Sequence, residues 1–203
     1  MAAQKIETIA FQGLDGSGKG TTIKELSKLI DCICWETPEE TKEYRGKKIK
    51  ELGETDELNE FMIESYLQEW SEIQRLRKDM DSEKVVLIDR CWVSFSSVRF
   101  AELEEYPEWP KEEFRPDIVF TIRVDEKLRC ERILKREGGI ENLKYRERRL
   151  IEDDNFRNDI LNAELELGCK PLRIREKNPE VVALRALQFL LGEKDYEHRR
   201  RAT

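Results

Sequence analysis

Seven consecutive residues constrain this chain more than any others: Gly13-Leu14-Asp15-Gly16-Ser17-Gly18-Lys19. They lie between an apolar, strand-like stretch, Ile6 to Phe11, and a segment, Thr21 to Ile30, whose apolar residues Ile23, Leu26, Leu29 and Ile30 recur at helical spacing. A G-x-x-x-x-G-K core in a strand–loop–helix setting reads as a phosphate-cradling loop. Glycines let backbone N–H groups converge on phosphate oxygens, and the helix N-terminus adds partial positive charge. The expected contacts to a nucleoside triphosphate are Gly13, Asp15, Gly16, Ser17, Gly18, Lys19, Gly20 and Thr21, with Lys19 reaching the β- and γ-phosphates. The residue after Lys19 is Gly20 rather than a hydroxyl residue, so Thr21 is the candidate to order Mg²⁺ or its water shell.

The remaining pattern alternates strand and helix. Cys32 to Trp35 is a short apolar run, and Lys84 to Ile88 and Asp117 to Val124 are longer ones rich in β-branched residues. Leu58 to Met80 reads as a long amphipathic helix with Phe61, Met62, Tyr66, Ile73 and Leu76 inward. Glu126 to Arg136 is helical, Leu172 to Arg175 is a weaker strand, and Pro179 to Leu191 is a helix with proline in its first turn. Such alternation predicts one α/β domain over residues 1–203: a five-stranded, mainly parallel sheet with helices on both faces. Ligands of these sheets bind beyond the carboxyl ends of the strands, where Gly13, Asp89 and the segment after Val124 should gather.

Composition narrows the function classes. A 203-residue chain with 38% hydrophobic and 40% charged residues is globular, and no apolar run is long enough to span a bilayer. The first residues, Met1 to Lys5, carry no apolar signal region, so a cytoplasmic protein is expected, with no membrane partner. A net charge of −7 makes a nucleic-acid partner a poor expectation, and Arg199-Arg200-Arg201 reads as a frayed, solvated end. Five cysteines without a C-x-x-C pair, and a single histidine, His198, argue against a zinc site or a histidine-based nucleophile mechanism.

Several segments, in order, resemble the thymidylate-kinase-like branch of the P-loop nucleoside monophosphate kinases. They are Gly13-Leu14-Asp15-Gly16, the proline-containing Thr37-Pro38-Glu39-Glu40-Thr41, Asp89-Arg90-Cys91-Trp92-Val93-Ser94, Pro116 to Val119 leading to Glu131-Arg132-Ile133, and Asn178 to Val182. The Gly-Ser-Gly-Lys-Gly-Thr stretch is also similar to the adenylate-kinase form of the loop. The resemblance implies a three-layer P-loop kinase fold and ATP-dependent phosphorylation of a dTMP-like (deoxy)nucleoside monophosphate with Mg²⁺. It further implies a short lid at about 136–149 and a homodimer formed through helices beside the acceptor pocket. It places Asp15 near the acceptor sugar. Departures cluster in the acceptor pocket. The arginine that reads thymine would fall near Gln68 or Glu69, Glu40 stands where some members have a phosphate-binding arginine, and Ser97-Val98-Arg99 replaces a small-Tyr-Gln pattern.

A second branch, the deoxynucleoside kinases, is similar too, with Ile88 to Ser94, Arg99 and a base-reading glutamine near Gln68. Its acceptor would be a nucleoside 5′-hydroxyl. A P-loop NTPase or nucleotide-binding regulator is a third reading. The residue roles follow from phosphoryl-transfer chemistry, which asks for positioning and charge stabilisation. Asp89 would order Mg²⁺ or accept a hydroxyl proton, and Arg90 would fork onto an acceptor phosphate or the moving group. Gln68, Ser94 and Arg99 complete the expected acceptor contacts. One or two of Arg136, Arg146, Arg148 and Arg149 should enter the site as Gly138-Gly139 lets the lid close. Trp70 and Trp92 are candidates either for base stacking or for core packing.

Overall fold

The computed structural model describes residues 6–79, 84–106, 114–174 and 178–201. Met80 and Arg175 (expected ends of a helix and a strand), Trp109 and residues 1–5 lie outside the described residues, as do the side chains of His198 and Arg199 to Arg201.

Strands β1 (Thr8–Gln12), β2 (Cys32–Glu36), β3 (Val85–Asp89), β4 (Ile118–Val124) and β5 (Lys170–Ile174) form one sheet in the order β2-β3-β1-β4-β5. Every pairing is parallel. Parallel neighbours need long crossovers, and helices supply them. The helices are α1 (Lys19–Leu26), α2 (Glu39–Leu52), α3 (Asp56–Asp79), α4 (Val93–Leu103), α5 (Glu126–Glu137), α6 (Tyr145–Glu152), α7 (Asp154–Glu166) and α8 (Pro179–Arg201).

Alternation along the strands divides the core. Ile9, Phe11, Leu87, Phe120 and Leu172 face Ile23 and Leu26 of α1 and Val182, Ala183, Ala186 and Leu190 of α8. Ala10, Val86 and Ile88 project from the opposite face onto Trp70 and Ile73 of α3. Successive strand side chains point to opposite faces, so a sheet covered on both sides needs unbroken apolar runs. That is why these strands were legible as continuous hydrophobic stretches. The sheet's edges tolerate what its centre does not: Pro171 sits in the outer strand β5, and Cys34 of β2 is exposed.

Four helices, α2, α4, α6 and α7, were not expected, although α6 falls at the end of the segment read as a lid. Helix α2 buries only Arg45 among its 14 residues, so it has almost no apolar stripe to read. Helix α1 stops at Leu26, four residues earlier than the spacing predicts, and Leu29 is 47% exposed. Helix α8 continues to Arg201, so the expected frayed basic end is helical in its backbone. No described helix is long and apolar enough to cross a membrane.

Candidate active site

Strand β1 delivers the glycine loop to the carboxyl edge of the sheet. Gly16 and Gly18 both have positive φ, 81° and 92°. A Cβ at Gly16 would stand 2.8 Å from the Arg129 carbonyl oxygen and 2.9 Å from Ile133 Cγ1, so only glycine fits under α5 there. The Lys19 ammonium folds back over the loop and donates to the carbonyls of Gly13 (2.7 Å) and Leu14 (3.3 Å). Burial, reinforced by Arg90, pulls the Lys19 pKa down to about 7 against the opposing pull of Asp15, Asp89 and Glu164. No carboxylate among the described residues forms an ion pair with this lysine, and a phosphate placed in the loop would supply a direct anionic partner.

The loop bounds a cavity of about 550 Å³ that also takes in Thr21, Thr22, Asp89, Arg90, Arg132, Arg136, Pro179 and Val182. Thr21 is exposed in it, whereas the Thr22 hydroxyl donates back to the Gly18 carbonyl at 3.0 Å. Arg129 and Arg132 had drawn no role from the sequence. Arg129 donates to the Asp15 carbonyl (3.0 Å) and to the Leu150 carbonyl (2.5 Å), tying the loop to α6. Arg132 donates to the carbonyls of Gly16 (3.2 Å) and Ser17 (3.4 Å). The signal was present: Arg129, Arg132 and Arg136 are spaced i, i+3, i+7 on one helical face.

A second cavity of about 600 Å³ opens beside the first, between α2, α3 and α4 on one side and α6 and α7 on the other. The two share Asp15, Asp89 and Arg90. Asp89 ends β3, and its Oδ1 is buried with no hydrogen-bond partner among the described residues. Its Oδ2 lies 3.7 Å from where a Cβ of Gly20 would be. Arg90 adopts φ 72°, a conformation unusual for a non-glycine residue, and its guanidinium pairs with the Asp15 carboxylate. Burial alone would push the Asp15 carboxyl up. Arg90, with Lys19, Arg136 and Arg129, more than offsets that and holds it below the usual range.

The second cavity has a polar wall that the sequence indicated only in part. Ser94 lines it, with its hydroxyl donating to Gln12, and so does the buried Arg99 of α4. Arg45 was not anticipated, because nothing in the sequence marked α2. Its guanidinium donates to the Ser65 hydroxyl (2.8 Å) and to Glu69 (2.8 Å), 4.1 Å from the Tyr66 ring centroid. Glu69 also accepts from Trp35 (2.9 Å) and Thr37 (2.6 Å). At the cavity floor, Glu164 of α7 accepts from Thr121, and burial pushes its carboxyl up.

Three expected site residues, Gln68, Arg148 and Arg149, are not brought into either cavity. Gln68 is exposed and lines a separate groove with Glu40, while the next residue of α3, Glu69, is buried. Arg148 is exposed and donates to the Ile140 carbonyl (3.2 Å). Arg149 sits 3.7 Å over the Phe156 ring and pairs with Asp153 at 3.4 Å. Of the four arginines expected from a lid, Arg136 lines the first cavity and Arg146 the second. Arg136 is held by Glu147 at 2.5 Å and Arg146 by Glu102 at 3.7 Å. Trp70 and Trp92 are buried in the core and line neither cavity.

Comparison with known proteins accords with this arrangement. A family profile described as thymidylate kinase matches residues 11–163. The chain is 27% identical over 158 residues to a probable thymidylate kinase of Thermoplasma volcanium, an alignment spanning 69% of this chain and 78% of the relative. It is 30% identical over 148 residues to a thymidylate kinase of Leptospira interrogans, spanning 66% and 71%. The fold is shared with thymidylate kinase from Candida albicans, with a TM-score of 0.63 and 18% identity over 93% of this chain and 92% of that one. It is also shared with deoxyadenosine kinase from M. mycoides, with a TM-score of 0.57 and 17% identity over 90% and 98%. With three quarters of its length matched by that profile, this chain belongs to the thymidylate kinase family.

Proposed function

We propose that this chain transfers the γ-phosphoryl group of ATP to a (deoxy)nucleoside monophosphate of the dTMP type, giving the diphosphate and ADP. One observation carries the reading: the phosphate-loop cavity and the second cavity meet at Asp15, Asp89 and Arg90. Two substrates placed in them would touch at those residues, which is the juxtaposition phosphoryl transfer requires.

In this reading an oxygen of the acceptor phosphate attacks the γ-phosphorus, and the bond to the β–γ bridging oxygen breaks. The acceptor phosphate is already an anion, so no base is required. Lys19 and the loop amides hold the donor, and Arg90 leaves Asp15 to meet charge on the moving group. Asp15, released, takes a sugar hydroxyl. Gly138 and Gly139, both at positive φ (77° and 144°), give the segment before α6 freedom to bring Arg146 further inward, toward Arg136 of α5, which already lines the first cavity. The partnerless Asp89 Oδ1 and the Thr21 hydroxyl fit a hard divalent ion that rides on substrate phosphates and keeps several waters. Mg²⁺ bound there would neutralise charge on the β- and γ-phosphates.

The second reading, a nucleoside acceptor, draws on the same Asp89 oxygen, which would then accept the 5′-hydroxyl proton. ADP release from Mg·ATP across matched nucleosides and monophosphates separates the two. The proposal expects dTMP-type monophosphates to accelerate release most. Acceleration by nucleosides alone transfers the function to the second reading, and acceleration by neither overturns both.

A further inference from the structure

Arg90 lies between the two cavities in a conformation that its own backbone resists. It is one of two non-glycine residues with positive φ among those described, and such a conformation persists only where the surroundings over-determine it. A turn to negative φ would carry the guanidinium away from Asp15 and from the junction. The holding contacts come from two consecutive residues of β1. The Phe11 carbonyl accepts from the Arg90 amide at 3.1 Å. The Gln12 side chain grips the turn that follows at two points: its Nε2 donates to the Cys91 sulfur at 3.0 Å, and its Oε1 accepts from the Ser94 hydroxyl.

Gln12 sits in the middle strand of the sheet, 0% exposed, in register with Thr121 of β4, and it lines neither cavity. Burying an amide there is unfavourable unless both its groups are bonded. Both are bonded, and both partners belong to the short turn between Arg90 and α4. The same turn is closed by the Ser94 amide donating to the Cys91 carbonyl at 3.0 Å, so Cys91 and Ser94 move together. Burial pushes the Cys91 thiol up to about 12, which keeps it protonated, able to accept from an amide or to donate weakly to a carboxylate.

We propose that Gln12 is a positioning residue: by bracing Cys91 and Ser94 it holds Arg90 at φ 72° and keeps its guanidinium at the junction of the two cavities, without touching either substrate. The consequence for an acceptor phosphate rests on the monophosphate-kinase reading. The brace itself does not.

The test reads the brace first without any substrate. A crystal structure of the full chain carrying Gln12→Met, which keeps the length but removes both bonds, should show Arg90 at negative φ with its guanidinium off Asp15. An unchanged Arg90 overturns the proposal. Calorimetric titration then reads the consequence. Gln12→Met should weaken dTMP binding about tenfold or more, the loss expected when a charge-assisted contact goes, and leave ATP binding within about threefold of wild type. In an Arg90→Met background the same substitution should add less than about twofold, because it acts through Arg90. Gln12→Glu, whose carboxyl accepts from the Ser94 hydroxyl and the Cys91 thiol, should bring dTMP binding back to within about threefold of wild type. Equal losses for ATP and dTMP would make Gln12 a brace of the glycine loop, and additive losses with Arg90→Met would make its effect independent of Arg90; either overturns the proposal. If Gln12→Met does not fold, Cys91→Ala removes one grip from the far side and carries both readouts, with a loss of about threefold or more expected for dTMP. A variant structure that shows Arg90 released, in a protein that binds no dTMP or transfers no phosphoryl group, leaves Gln12 as the brace and refutes only the kinase reading.

Discussion

Replacing Arg129 with methionine should loosen the phosphate loop from the lid side of the molecule. Arg129 is 1% exposed, and its fork joins three elements: Glu126 of its own helix (2.7 Å), the Asp15 carbonyl (3.0 Å) and the Leu150 carbonyl of α6 (2.5 Å). Methionine fills most of the same volume, so the change isolates the lost hydrogen bonds from a cavity effect. Bonds to a charged donor contribute about 1.5–3 kcal/mol each. Glu126 is partly solvated and contributes little on rehydration, and the Leu150 carbonyl keeps Arg157 as a donor at 3.1 Å. The Asp15 carbonyl loses its side-chain donor outright. Two charge-assisted bonds near the lower bound give a destabilisation of about 3 kcal/mol. In a chain of this length that corresponds to roughly 6–12 °C in Tm. Thermal and denaturant unfolding followed by circular dichroism would measure it, alongside ATP affinity, which should fall as the loop loses its tether. A loss below about 1 kcal/mol with unchanged ATP binding would refute the clamp.

Under the proposed function, Lys19 links ATP binding to pH. Its folded-state pKa of about 7 lies below its ordinary value of 10.5, so the folded protein binds fewer protons than the unfolded chain between those limits. Stability of the free protein should therefore rise with pH across that window, and ATP binding above pH 7 should take up a proton as phosphates restore the ammonium. Calorimetry in buffers of different ionisation enthalpy checks the uptake, which Lys19→Met should abolish. Arg136→Ala should lower kcat/KM by tenfold or more while Arg148→Ala changes it less than threefold, because only the first lines a cavity; equal effects in steady-state assays would remove the distinction. Gly16→Ala should raise KM for ATP at least tenfold, since its Cβ meets backbone at 2.8 Å and its φ is 81°. A donor KM within twofold of wild type would show that the loop tolerates the shift.

The family departures visible in the sequence acquire a physical account in the tertiary structure. Glu69 occupies the inward position of α3 and is neutralised by Arg45, reaching across from a helix with no readable apolar stripe. The pairing explains how a carboxylate can sit buried where the resemblance leads one to expect a cation. The arginines of the lid show the converse. All four looked alike in the sequence, and their partners, Glu147, Glu102, the Ile140 carbonyl and Asp153, sort them into two that face the cavities and two that do not.

By itself the sequence determined the glycine loop between β1 and α1, the parallel sheet and the placement of Asp89 and Arg90 at a strand's end. These depend on local rules: glycine where φ is positive, unbroken apolar runs where a strand is covered on both faces, and a turn where the strand stops. Helices α2, α4, α6 and α7, the clamp from Arg129 and Arg132, and the choice of Glu69 over Gln68 as the inward residue were decided only by the fold. Each depends on where a helix rotates about its axis and on which distant partner satisfies a buried charge. Periodicity cannot supply that when the inward side chains are themselves charged.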